Sequence, residues 1–195
     1  MVKFYQHTSS FEHAWDNVTY AFWLRYPNPF ASHVLGCDVL DRSVDPATGV
    51  LRTTRLILKK GVLPRWGRNL IKNVDTYIIE ESVVDPRTHT MVTRTKNLNH
   101  VRVMQVEETQ TFTVHPENSK WTQVKTEARI ISELRWGLTG RVESFGINKF
   151  MDNSAKARKG MAHILERLRQ NAAMAAATPA TAGAPSSGSS SPSKE

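Results

Sequence analysis

Apolar residues along this chain keep two different rhythms. Near the N-terminus, Phe11, Trp15, Val18 and Phe22 recur at i, i+4, i+7 and i+11, which makes one stripe on a helix. Ser9 and Glu12 stand at capping-box spacing ahead of them, so the pattern predicts a helix opening after Ser9. Pro27 and Pro29 end it. Through residues 33–133 the rhythm shortens to runs rich in Val, Ile, Thr, Tyr and Phe, which suit a pleated surface. Turn signals separate the runs at Asp45-Pro46-Ala47-Thr48-Gly49, Asp85-Pro86-Arg87-Thr88 and His115-Pro116-Glu117-Asn118. Such short links favour an antiparallel meander.

From Leu138 to Gln170 the helical period returns without a proline. At ~100° per residue, Val142, Phe145, Gly146, Ile164 and Leu168 share one broad arc. The expected fold class is therefore α+β, with a long C-terminal helix laid across one face of an antiparallel sheet. Asn171 onward is Ala, Ser, Thr, Pro and Gly without an aromatic residue, too little apolar surface to offset its ordering entropy. The chain thus divides into a domain over 1–170 and a disordered tail over 171–195.

Charge changes the picture. Lys and Arg number 26 against 18 acids, a formal net charge of +8, which points to an anionic partner: nucleic acid or an acidic membrane surface. Seven of those cations and no acid lie between Val50 and Val74. Strand alternation puts Leu51, Thr53, Arg55, Ile57 and Lys59 on one face and Arg52, Thr54, Leu56 and Leu58 on the other. Both faces carry apolar residues, so the pattern leaves open which is inside. His33 falls with Leu35, Cys37 and Val39 on a face that reads as inward.

On the last helix, Lys149, Asn153 and Lys156 fall inside the apolar arc. Lysines there either snorkel outward or meet an anion held between helix and sheet, which would remove the cost of burying them unpaired. Gly146 and Gly160 on this face leave room beside them. Residues 61–72 mix Leu63, Trp66, Leu70 and Ile71 with Arg65, Arg68 and Lys72. That mixture suits either a short surface helix or a movable, membrane-touching loop.

The chemistry-bearing motifs of common enzymes are missing: no Gly-x-Ser-x-Gly, no His-Glu-x-x-His, no Walker loop and no dinucleotide fingerprint. Cys37 is the single cysteine, which excludes an internal disulfide and a multi-cysteine metal site. No cofactor and no metal are expected. Glu80-Glu81 and Glu107-Glu108 are adjacent pairs whose members point to opposite strand faces, poor material for paired acid–base work. No window approaches a membrane span. The start, MVKFYQHTSSF, has neither a secretory apolar core nor an Arg-rich amphipathic presequence.

The chain resembles the PRELI family. The resemblance rests on Arg25-Tyr26-Pro27-Asn28-Pro29-Phe30, Ser32-His33-Val34-Leu35, Leu51-Arg52-Thr53-Thr54-Arg55-Leu56 and Leu63-Pro64-Arg65-Trp66. Ser82-Val83-Val84-Asp85-Pro86, Asn97-Leu98-Asn99-His100, Val106-Glu107-Glu108 and Lys149-Phe150 with Asn153 continue it across residues 1–170. The resemblance implies a START-like helix-grip fold, a curved antiparallel sheet gripped by the C-terminal helix around a lipid pocket. It implies a headgroup end lined by Arg25, His33, Arg55, Lys59, Lys149, Asn153 and Lys156. It implies a lid over 62–72 whose Leu63, Arg65, Trp66, Arg68, Leu70, Ile71 and Lys72 dock on the membrane.

In function it implies a non-enzymatic carrier that moves phospholipid between the outer and inner mitochondrial membranes in support of cardiolipin synthesis. The six-residue Arg25–Phe30 form is most similar to the phosphatidic-acid branch, with phosphatidylserine as the rival cargo. The carrier is expected in the intermembrane space, peripheral to the cardiolipin-type surface of the inner membrane. Its expected partner is a small helical protein with twin Cys-x9-Cys motifs, bound as a heterodimer. Charge reversal at Lys149 or Arg25 is expected to abolish lipid retention and leave the fold intact. A basic nucleic-acid-binding module is the alternative from another class. It is disfavoured because the cations lack a neighbouring stacking platform apart from Trp66 and no RNA-binding signature is present. A lipid-acting enzyme is the third reading.

Overall fold

The computed structural model describes residues 2–61, 74–133 and 139–177. The lid residues Leu63, Arg65, Trp66, Arg68, Leu70, Ile71 and Lys72 lie outside them. Seven strands form one antiparallel sheet: β1 (Val2–Phe11), β2 (Val34–Val44), β3 (Leu51–Lys59), β4 (Thr76–Asp85), β5 (Thr90–Asn97), β6 (Gln105–His115) and β7 (Asn118–Ile131). Their order is β1-β7-β6-β5-β4-β3-β2. The meander expected between residues 33 and 133 is present as six strands in sequence order. Helix α1 (Trp15–Trp23) covers one end of the sheet, and α2 (Thr139–Ala177) crosses its concave face.

The first strand corrects the sequence reading. Val2–Phe11 alternates between exposed and half-buried positions and pairs with β7 along its whole length, with Ser9 opposite Val124 and Phe11 opposite Thr122. Ser9 therefore belongs to a ladder, and the Ser9–Glu12 capping box does not form. Helix α1 begins five residues later, with Ala14 at its N-cap and no side-chain cap. The predicted stripe survives in Trp15, Val18 and Phe22, all buried, while Phe11 packs against the same cluster from the strand. Trp15 Nε1 donates to the Phe112 carbonyl at 3.2 Å and ties α1 to β6.

Of the arc read from the sequence, helix α2 buries Val142, Gly146 and Ile164 and half-buries Phe145 and Leu168; Met161 and Leu165 are buried beside them, and the helix continues through Ala177. Gly146 and Gly160 do not make room for lysines. A Cβ at Gly146 would lie 2.6 Å from Met104 Sδ and 2.9 Å from Ile130 Cγ2. A Cβ at Gly160 would lie 3.0 Å from the Asn28 amide atoms. The space beside each glycine is already filled, so both mark the points where the helix backbone presses on the body of the protein.

β2 also departs from expectation. It is an edge strand with register shifts at Val34/Gly36 and Val39/Asp41, so its alternation is broken twice. Leu35 and Val39 are about half exposed, as are Leu40 and Val44. Among the described residues, nothing covers the face read as inward along most of this strand.

Candidate functional site

Register sorts the concave face of the sheet into rows. Leu51, Val84, Met91, Phe112 and Val124 are cross-strand partners and form an apolar row under α1. The next inward row is Thr53, Ser82, Thr93, Gln110 and Thr126, all but Gln110 buried. The row after that is Arg55, Glu80, Thr95, Glu108 and Ala128. Arg55 is 4% and Glu80 2% exposed, which settles the open question of which face of β3 is inside. A helix-covered sheet ordinarily buries apolar side chains; here the middle of the covered face is polar and charged.

Glu80 is held by two guanidiniums. Arg55 donates to its Oε1 from Nε at 2.9 Å and also from Nη2, and Arg25 Nη2 donates to Oε2. Burial alone would push the Glu80 carboxyl up, but Arg25 and Arg55 outweigh it and hold the group below the usual carboxylate range. Burial likewise opposes the charge on Arg25, and Glu80 more than restores it. Both guanidiniums pack on the Phe22 ring, whose centroid is 3.6 Å from Arg25 Cζ and 4.9 Å from Arg55 Cζ. The triad carries one net positive charge.

The segment after α1 builds this corner. The Asn28 side chain accepts from the Phe30 amide at 2.8 Å and donates back to the Arg25 carbonyl. It thereby caps the short turn Pro29–Ala31 and presents its amide to Gly160 of α2. One asparagine thus fixes the arginine loop and seats the long helix against it.

Between sheet and helix lies a cavity of about 620 Å³. Six of the seven residues expected at the headgroup end line it: Arg25, His33, Lys59, Lys149, Asn153 and Lys156. Arg55 does not; it lies behind Glu80. Lys59 and Lys149 are half-buried, while Asn153 and Lys156 are exposed at the rim. Among the described residues no ion pair reaches Lys59, Lys149 or Lys156. Burial first, and then Lys59, Lys156 and Lys149, hold the His33 imidazole below its ordinary value, so it adds no charge of its own to an empty site near neutral pH.

Sequence reasoning missed two acids. Glu80 and Glu108 are the carboxylates that line the cavity among the described residues. Each belongs to an adjacent pair, Glu80-Glu81 or Glu107-Glu108, whose members point to opposite strand faces. The parity was right: Glu107 faces outward and pairs with Arg129. Its consequence is that Glu80 and Glu108 share the inner face with Arg55, a signal available once the strands are registered.

The PRELI-like family matches residues 16–171. The chain belongs to this family. It is 44% identical over 163 residues to chicken "PRELI domain-containing protein 1, mitochondrial", covering 81% of this chain and 74% of that one. It is 39% identical over 171 residues to Saccharomyces cerevisiae "Protein UPS1, mitochondrial", covering 87% and 97%. The Zhui aromatase/cyclase from Streptomyces superposes at a TM-score of 0.59 over 86% of this chain and 95% of that one, at 10% identity. That likeness is one of fold, the helix-grip arrangement of curved sheet and C-terminal helix.

Proposed function

We propose that the protein is a phospholipid-transfer protein whose cargo is phosphatidic acid. The observation that carries this reading is the cavity between sheet and helix, with Lys59, Lys149 and Lys156 facing it and no carboxylate paired to them among the described residues. A phosphate monoester carries between one and two negative charges at neutral pH, which suits several clustered ammonium groups. Helix α1 and the apolar row beneath it close one end of the cavity. The headgroup therefore enters first, toward the charged row, and the acyl chains trail past Ile78, Val103, Met104, Val106 and Phe145, which line the cavity with them.

No bond is made or broken in this reading: the protein extracts the lipid, shields it and releases it. Relatives are named as mitochondrial proteins, which supports work between the two mitochondrial membranes, in the intermembrane space. None of the described helices is long and apolar enough to cross a membrane, and the net charge of +8 favours peripheral docking on an anionic, cardiolipin-type surface. A small twin Cys-x9-Cys helical partner is part of the proposal, and the half-exposed Leu35, Val39, Leu40 and Val44 of edge strand β2 leave it an apolar surface.

The test is transfer between donor and acceptor liposomes of defined composition. Phosphatidic acid should move well ahead of phosphatidylserine and phosphatidylcholine. Equal rates for all three would overturn the selectivity, and salt-sensitive binding of bare RNA with no lipid taken up would return the nucleic-acid alternative.

A further inference from the structure

Lys60, Lys96, Arg158 and Glu108 are charged groups on the cavity wall that the headgroup reading leaves unused, and Glu108 is the acid among them. It sits in the same cross-strand row as Glu80, two strands away and separated from it by Thr95, hence ~10 Å along the sheet. The two carboxyls are treated differently by their surroundings. Glu80 has two arginines on it; Glu108 has no ion pair among the described residues. Its row neighbours, Thr95 on β5 and Ala128 on β7, carry no charge. Lys59 of β3, Arg25 of the loop after α1 and Glu80 of β4 act on it through space, and Gln110 of its own strand bonds to it. Lys149 and Lys156 reach the same cavity from α2, and His33 from the start of β2. Burial pushes the Glu108 carboxyl up; Lys59, Arg25 and Gln110 work the other way and do not cancel it.

An anion in this cavity sharpens the difference. A phosphate drawn to Lys59 enters the cavity whose wall Glu108 shares with that lysine, and a second negative charge in the same cavity disfavours the ionised carboxylate further. The neutral acid, by contrast, has an O–H to donate to a phosphate oxygen.

Resting on the phosphatidic-acid reading, we propose that Glu108 is a specificity-determining residue that binds the phosphate as a protonated acid, so that loading the lipid takes up one proton and releasing it returns that proton. The proton comes from water, stays on the carboxyl oxygen in the hydrogen bond to the phosphate, and goes back to water when the lipid leaves. A headgroup whose ammonium lies near Glu108 would instead draw the ionised form, so the protonated carboxyl favours a bare phosphate over an amino headgroup.

The experiment compares wild type with Glu108→Gln, which keeps an N–H donor at this position but cannot ionise. Retention of phosphatidic acid from vesicles of phosphatidic acid in phosphatidylcholine is measured from about pH 5 to about pH 8. Titration of the lipid and of His33 is common to both proteins, so the ratio of their affinities isolates Glu108. That ratio, wild type over variant, should fall as pH rises, by up to about tenfold for each unit above the carboxyl's titration point. Calorimetry in buffers of different ionisation enthalpy should find proton uptake on loading that is smaller in the variant. A ratio constant with pH overturns the inference. So does loss of binding in Glu108→Gln when wild-type affinity does not weaken with pH, because the carboxylate would then be acting as an acceptor. If neither protein takes up phosphatidic acid at any pH while another lipid is bound, the cargo reading itself fails and the inference falls with it.

Discussion

Arg55 grips Glu80 from the neighbouring strand, with Nε 2.9 Å from Oε1 and Nη2 on the same oxygen. The pair is a directly opposed cross-strand pair, and both side chains are almost wholly buried. Arg25 completes it from the loop after α1. A residue that looks in the sequence like part of a cationic lipid site is thus half of an ion pair that holds β3 to β4 and the arginine loop to both.

Replacing Glu80 by Ala should therefore be costly. It leaves two buried guanidiniums uncompensated, a change that typically costs about 3–5 kcal/mol. Equilibrium unfolding in urea should show this as a lower midpoint, and a loss under about 1 kcal/mol would mean the triad is better solvated than its burial indicates.

Charge reversal should separate two residues that the sequence placed together. Lys149→Glu alters a half-buried group with no ion pair among the described residues, so lipid retention should fall steeply with little change in thermal midpoint. Arg25→Glu brings a second carboxylate against Glu80, so both retention and stability should drop. This revises the expectation that either reversal leaves the fold intact. Thermal melts alongside a lipid-retention assay check it.

The acid limb of stability should carry the signature of Glu80 and the neutral limb that of Glu108. The Glu80 carboxyl is held down in the folded state, so its contribution is present above the ordinary value near ~4.3 and is lost as pH falls through the folded one. Glu108 is pushed up, so the folded state binds more protons than the unfolded. Its contribution is then lost as pH rises from ~4.3 through the folded value. Unfolding free energies of the empty protein should accordingly fall less between acid and neutral pH in Glu108→Gln than in wild type.

The seat of α2 offers a packing test. Gly160→Ala gains helix propensity worth about 1 kcal/mol, but its Cβ would crowd the Asn28 amide at 3.0 Å. Overpacking of this kind commonly costs about 1–3 kcal/mol. The single variant should be no more stable than wild type. Combining it with Asn28→Ser, which shortens the opposing side chain, should recover part of the loss in a double-mutant cycle.

The sequence made some elements legible and hid others for physical reasons. The meander was readable because Val- and Ile-rich runs alternate with Pro- and Gly-bearing turns. Helix α2 was readable because its apolar arc keeps one period from Val142 to Leu168. β1 was hidden because its inward residues, Lys3, Tyr5, His7 and Ser9, are polar or amphipathic, whereas Phe4 on the outer face is 75% exposed. The alternation is there with its usual polarity blurred. Edge strand β2 misled for the opposite reason: Leu35, Cys37 and Val39 read as a buried stripe, yet across the two register shifts Leu35 and Val39 are about half exposed among the described residues. Lys59, Lys149 and Lys156, from β3 and α2, line one cavity. What no spacing could tell is that Arg25 and Arg55 are partly spent on a carboxylate, since that depends on which residue of β4 lies opposite Arg55.

The sheet order has a consequence for how the chain comes together. Val2 lies opposite Ile131, so the first strand finds its partner only in the last, while every other neighbouring pair of strands is consecutive in the chain. Local hairpins can zip one onto the next, but joining β1 to β7 closes a loop that spans most of the domain, and such closures are slow relative to hairpin formation. In a chain delivered N-terminus first, by a ribosome or through a narrow pore, Val2–Phe11 waits unpaired until its partners, Thr122 through Ile131, have followed it. For that interval the segment is an open template for other strands, which makes it the place where a holding factor or an aggregate would first take hold.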